Sequence, residues 1–293
     1  MATLSQWIEG ARPRTLPAAV SPILVGTGAA YQTGHVVWGY AILALVIALA
    51  LQVGVNYAND YSDGVRGTDE VRVGPVRLVG QRLAEPQLVK AAALTCFFFA
   101  GLLGLALVGL SGVWVMIPIG AAAIAAAWFY TGGKHPYGYY GLGELFVFVF
   151  FGLVATLGTM ATMTPLTAAG WWGAIGGGAL ASAILVANNL RDIPTDREHG
   201  KRTLAVRLGD RGTRIFYVVL VGVAFVMAGL ASFTSPYALL AVLAAPLVVR
   251  PMQAIVGGAT GRGLIPVLAG TGLFQLGWSA LLALGLGLGY HFG

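Results

Sequence analysis

The hydrophobic pattern along this chain repeats one unit, an apolar run near 20 residues long followed by a polar break. Nine such runs lie near residues 15–31, 37–58, 90–110, 113–130, 142–163, 170–190, 215–233, 236–256 and 264–289. Runs of that length match the ~20 residues a helix needs to cross a bilayer core. The pattern predicts an all-α, polytopic membrane bundle of nine transmembrane helices, forming one domain over residues 1–293. Breaks as short as Ser111-Gly112 and Thr234-Ser235-Pro236 make the helices they join antiparallel neighbours. Arg12 and Arg14 precede the first run as they would in a signal peptide. Pro17 and Pro22 interrupt that run, and further spans follow, so it reads as a retained first helix.

Composition agrees and narrows the function classes. The chain is 57% hydrophobic and only 10% charged, where soluble domains carry about 25% charged residues. Glycine runs such as Gly176-Gly177-Gly178 and Gly101-x-x-Gly104 read as close helix packing. Phe97-Phe98-Phe99 and Trp171-Trp172 read as lipid or interface contacts. The lone Cys96 forms neither an internal disulfide nor a zinc site.

The placement of charge matters more than its net value of +6. With the N-terminus in the cytoplasm, all 17 Lys and Arg residues fall in cytoplasmic loops or at span ends facing them. The opposite connections, near 32–36, 111–112, 164–169 and 234–235, contain none. This asymmetry sets the orientation in the cell inner (plasma) membrane, C-terminus outside. It also accounts for the basic charge without nucleic acid. All 11 Asp and Glu residues share that side, so one face is chemically equipped and the other is bare. A cation or anion carrier would more often keep charge within the membrane depth.

Two acidic stretches end apolar runs on the equipped side. The first, N-Y-A-N-D-Y-S-D-G-V-R-G-T-D from Asn56, places Asn56, Asp60 and Asp63 on one helix face if the helix continues past Ala58. The second, N-N-L-R-D-I-P-T-D-R-E-H-G-K-R from Asn188, repeats the Asn-x-x-x-Asp spacing with Asn188, Asp192 and then Asp196. Pro194 threatens the helix there, so Asp196 is expected to leave the shared face. Carboxylates grouped on one face repel unless a cation lies between them. Magnesium suits that geometry, because it accepts a few carboxylate oxygens and completes its shell with water and phosphate. Two facing clusters would hold two Mg2+ ions bridging to a diphosphate. Basic residues for the remaining phosphate oxygens are available in Arg66, Arg72, Arg77, Arg191, Lys201 and Arg202. The loop Y-T-G-G-K-H-P-Y-G-Y-Y-G-L-G-E offers Tyr130 and Lys134, four apart. Lys134 suits a phosphate or a carboxylate, and tyrosines such as Tyr139 could flank an aromatic ring. No histidine shows ligand spacing, and no phosphate loop, hydrolase serine motif or dinucleotide fingerprint occurs in context.

These words together resemble the UbiA superfamily of membrane prenyltransferases, and within it the MenA branch, which prenylates 1,4-dihydroxy-2-naphthoate. The resemblance covers nearly the whole chain, adding A-R-P-R-T-L-P-A-A-V-S-P-I-L-V-G-T-G from Ala11 and H-P-Y-G-Y-Y-G-L-G-E from His135. It implies a nine-helix bundle whose central cavity opens to the cytoplasmic side and to lipid. It implies that Asn56, Asp60, Asp63, Asn188, Asp192 and Asp196 bind magnesium-diphosphate. By the same resemblance Asp60, Asp63, Asp192, Asp196 and Lys134 are catalytic. Arg66, Arg72, Arg77, Tyr130, Lys134, Tyr139, Asn189, Arg191 and Lys201 contact substrate. The implied substrates are a polyprenyl diphosphate drawn from the bilayer and 1,4-dihydroxy-2-naphthoate, which give demethylmenaquinone, diphosphate and carbon dioxide. One position departs from the wider superfamily: Gly67 stands where a third acid is common, with Asp69 two residues on. A sister enzyme acting on hydroxybenzoate or homogentisate is the alternative within the class.

Overall fold

In the computed structural model, residues 2–67 and 76–292 are described. Their regular structure is helical throughout. A short amphipathic helix α1 (Leu4–Gly10) opens on a capping box between Thr3 and Gln6. Nine longer segments follow among the described residues: α2 (Leu16–Gln32), α3 (Trp38–Val65), α4 (Pro86–Ser111), α5 (Met116–Phe129), α6 (Gly143–Ala161), α7 (Ala168–Glu198), α8 (Leu204–Ala231), α9 (Pro236–Val256) and α10 (Gly261–Phe292). Each coincides with one apolar run of the sequence. Seven are long and apolar enough to cross a membrane. The two shorter ones are α2, with 17 residues, and α5, with 14.

Two departures from the apolar runs carry the acidic motifs. Helix α3 continues to Val65 and α7 to Glu198, so both acidic motifs ride on the last turns of long helices. Pro194 does not end α7. It removes only one backbone donor, and Asp196 stays on the helix. In α8 the chain instead breaks at Gly209, whose φ of 69° and ψ of 178° suit a residue without a Cβ.

Helix α7 is the axis of the bundle: 72% of its apolar window is buried, against α2, α6, α8 and α10. The main core joins Leu180, Tyr217, Phe274, Trp278 and Leu282. A second core holds α3 to α4 through Tyr57, Val89 and Phe97. Gly54 faces Phe97 while Ala44 meets Leu107, so these two helices run antiparallel. Helices α6 and α7 touch almost backbone to backbone, because a Cβ on Gly152 would lie 2.6 Å from the Cα of Gly178. Within α6, Phe148–Val154 is wound as a π-helix. Such turns widen a helix locally and are frequent at functional sites. Here the widened stretch supplies Phe150, Phe151 and Val154 to a central cavity.

Helices α9 and α10 pack tightly at Gly285, where a Cβ would fall 2.1 Å from the carbonyl oxygen of Tyr237. Gly285→Val should therefore push these helices apart and destabilise the fold by about 1–3 kcal/mol. Thermal unfolding of the detergent-solubilised variant would register this as a lowered Tm.

Candidate active site

The cavity has a volume of about 900 Å3 and a polar end and an apolar body. At the polar end lie Asn56 and Asp63 from α3, Asn188, Asn189 and Asp196 from α7, and the cations Arg12, Arg77 and Lys201. The walls beyond are almost wholly apolar. Residues of both sequence motifs line this one hollow.

Four motif carboxylates are buried, none more than 7% exposed. Burying a charge costs several kcal/mol unless it is paired and hydrogen-bonded, and each has compensation. Asp60 accepts backbone N–H bonds from Leu78 (2.6 Å) and Val79 (3.2 Å), with Arg77 and Arg12 acting on it electrostatically. Gly64, one turn further along α3, leaves the space into which Val79 packs. Leu78 fits against Gly10 and Tyr57. Asp63 accepts from the Tyr139 hydroxyl at 2.7 Å and lies 3.5 Å from Lys201 Nζ. Asp192 is gripped by Arg191 through Nε and Nη2, at 2.7 and 2.8 Å. The Arg191 Nη2 also reaches Asn188 Oδ1 at 2.8 Å. Asp196 accepts from Thr203 Oγ1 at 3.4 Å.

The amide side chains are oriented by their partners. Thr15 gives its one hydroxyl proton to the Arg12 carbonyl, 2.9 Å away. Its oxygen must therefore accept from Gln52 Nε2 (2.8 Å) and Asn56 Nδ2 (3.0 Å). Asn56 Nδ2 also donates to the Ala11 carbonyl at 2.8 Å. Both of its protons are used, and the carbonyl oxygen is what Asn56 has left to offer. Asn189 donates one Nδ2 proton to Glu144 Oε1 at 2.8 Å, which fixes the orientation of its amide.

Tyr139 sits under two cations, 4.4 Å from Lys201 Nζ and 5.4 Å from the Arg66 guanidinium. Burial, followed by the negative charge of Asp63, pushes the hydroxyl of Tyr139 above the ordinary tyrosine range, with Lys201 opposing. It stays protonated at neutral pH and donates to Asp63. Tyr137 stacks on Phe146 with centroids 4.0 Å apart and meets Tyr130 edge-on. Tyr130, Tyr137 and Tyr139 all line the cavity.

Not every residue singled out from the sequence reaches this wall. Lys134 is exposed and Arg66 turns to the carbonyls of Thr131 and Gly133. Neither lines the cavity, nor do Asp60, Asp192 and Arg191. Arg202 is exposed. Arg72 and Asp69 lie outside the described residues. Conversely, Arg12, Thr15, Gln52, Asn59 and Thr131 line the polar end without having been singled out for it. A signal existed for Gln52, which precedes Asn56 by one helical turn.

Among the described residues no three acids cluster as a metal cage. Magnesium does not need one, since one or two carboxylates with phosphate and water suffice. Asp63, Asp196, Asn56 and Asn188 present the hard oxygen donors it prefers, so the residues fit the ion.

Residues 19–257 match the UbiA prenyltransferase family. The chain belongs to that family. It is 53% identical over 292 residues, 99% of each chain, to the 1,4-dihydroxy-2-naphthoate octaprenyltransferase of Mycobacterium tuberculosis. It is 37% identical to the Escherichia coli enzyme of the same name, over 96% of this chain and 94% of that one. Among solved structures, a UbiA homolog from Archaeoglobus fulgidus bound to DMAPP and Mg2+ superposes with a TM-score of 0.64 at 12% identity, covering 94% of this chain and 99% of that one. The UbiA fold is thus common to chains of very different sequence.

In this UbiA family member Arg191 is the bidentate partner of a buried carboxylate. Arg191→Met should cost about 3–5 kcal/mol by leaving Asp192 without it. Arg191→Lys should lie between, because an ammonium cannot form the fork. Denaturation midpoints of the three purified proteins would rank them.

Proposed function

We propose that this protein transfers a polyprenyl group from polyprenyl diphosphate to 1,4-dihydroxy-2-naphthoate in menaquinone biosynthesis, releasing diphosphate and carbon dioxide. The carrying observation is the shared hollow. Asp63 and Asp196, from two separate motifs, face one cavity whose remaining walls are apolar. The sequence relatives named above support the acceptor.

The polar end takes the diphosphate. Asp63, Asp196, Asn56 and Asn188 would hold Mg2+, two ions on our reading. When bound, the metal neutralises phosphate oxygens so that diphosphate can leave. Lys201, Arg77 and Arg12 supply charge-assisted hydrogen bonds to the oxygens that remain. Asp60 and Asp192 act indirectly. The first fixes the Arg77-Leu78-Val79 loop and the second fixes Arg191 beside Asn188.

The apolar body takes the prenyl tail and excludes water, which would capture an allylic cation. As the C–O bond of the donor breaks, its electron pair leaves with diphosphate. The naphthalene ring, held among Tyr130, Tyr137 and Tyr139, attacks the allylic carbon through its carboxylate-bearing carbon. Loss of carbon dioxide returns the pair to the ring, giving the quinol form of demethylmenaquinone. On this reading nine helices cross the inner membrane, with the N-terminus and the open end of the cavity on the cytoplasmic side.

Purified protein supplied with magnesium, octaprenyl diphosphate and 1,4-dihydroxy-2-naphthoate should release diphosphate and carbon dioxide in equal amounts. Asp63→Asn and Asp196→Asn should each lower kcat by about 10²–10³-fold, the scale for losing a main electrostatic stabiliser. Prenylation of hydroxybenzoate or homogentisate with no turnover of dihydroxynaphthoate would overturn the acceptor assignment. Ion flux across liposomes without transfer would overturn the enzyme reading.

A further inference from the structure

The apolar body of the cavity is deep. On α3 its lining runs from Asp63 to Ala44, a rise of about 28 Å at 1.5 Å per residue. On α4 it reaches Leu107 and Val108, and on α5 it reaches Met116, at the outer ends of both helices. A long tail laid from the acids would pass the outer ends of α4 and α5 last.

Two glycines on those walls differ from the others in the cavity. Gly104 and Gly120 both line it, and a Cβ built on either meets nothing within 4 Å. By contrast, a Cβ on Gly101 would touch Ile124 at 3.6 Å, and one on Gly158 would meet Met116 Cε at 2.7 Å. Gly104 stands 18 residues along α4 from Pro86, about 27 Å from its cytoplasmic end. Gly120 is four residues from the outer end of α5. Both positions border the cavity and have open space where a side chain would stand, far from the diphosphate end.

We infer that Gly104 and Gly120 set the donor-length limit of this enzyme. Their missing side chains keep the distal cavity wide enough for the last isoprene units of a long polyprenyl diphosphate. This rests on the reading of the cavity as the prenyl-donor site. The reacting carbon lies at the opposite end, so filling the distal space should leave short donors unaffected.

The test compares farnesyl with octaprenyl diphosphate as donors to 1,4-dihydroxy-2-naphthoate. Gly104→Leu and Gly120→Leu should lower kcat/KM for the octaprenyl donor by about tenfold or more while leaving the farnesyl value near wild type. Gly109→Leu is the control. Gly109 lies on the same helix and its Cβ also meets nothing within 4 Å, but it does not line the cavity. Its donor preference should be unchanged. If a leucine variant fails to fold, the double variant Gly104→Ala/Gly120→Ala should show a smaller shift in the same direction. Unchanged preference in the folded variants, equal losses on both donors, or the same shift in Gly109→Leu would overturn the inference. Failure of the wild type to transfer either donor would instead overturn the function on which it rests.

Discussion

Everything at the polar end of this bundle depends on how its buried carboxylates are compensated. Four of them sit on the closing turns of two apolar helices, out of contact with bulk water. None is tolerable alone, because the desolvation of an ion is repaid only by close, well-aligned partners. Those partners draw in three otherwise unrelated pieces of chain. The loop after residue 75 turns its backbone amides onto Asp60, Tyr139 comes in over Asp63, and the bend after α7 brings Lys201 and Thr203 back to Asp63 and Asp196. The loops are folded because the acids are there.

The same compensation prepares the cavity for an anion. Arg12, Arg77 and Lys201 are held near carboxylates yet also line the hollow, so a diphosphate entering it meets cations already stripped of much of their water. Orientation of the amides follows a similar logic. Thr15 can donate only once, and that proton is committed to a backbone carbonyl. The nearby amides must therefore turn their nitrogens to it, and Asn56 is left with its oxygen. Preorganised dipoles of this kind work strongly in a water-excluded site.

The bundle was legible in the sequence because hydrophobic run length and positive-charge asymmetry are properties of single segments. That the two acidic motifs line one hollow was legible for a related reason: both sit at the ends of long helices, and helical spacing fixes which face each residue takes. Loop residues were less so. Tyr130 and Lys134 are one helical turn apart in sequence, but the chain leaves the helix at Phe129, so spacing no longer implies a shared face, and Lys134 is exposed and does not line the hollow. Lys201 fills the cationic position near Asp63, and only the return of the chain after α7 brings it there. Arg12 and Thr15 reach the site through the entry to α2, a tertiary contact that no periodicity encodes. Pro194 misled in the opposite sense: packing of α7 in the core outweighs the loss of one backbone bond.

The π-helical stretch of α6 carries a consequence for how this wall can vary. A π turn holds one residue more than the α turn it replaces. Rewinding Phe148–Val154 as ordinary α-helix with its residues unchanged would rotate everything after it by about 100° relative to what precedes it, whereas removing one residue as it rewinds would keep the two flanks in their present phase. The part that follows, Ala155–Ala161, packs on α2 so closely that a Cβ on Gly26 would lie 2.4 Å from the Thr156 carbonyl oxygen. The wide turn therefore absorbs one residue without turning one half of the rod against the other. It lets the phenylalanine-rich first half look into the hollow while the small-residue second half stays locked to its neighbour.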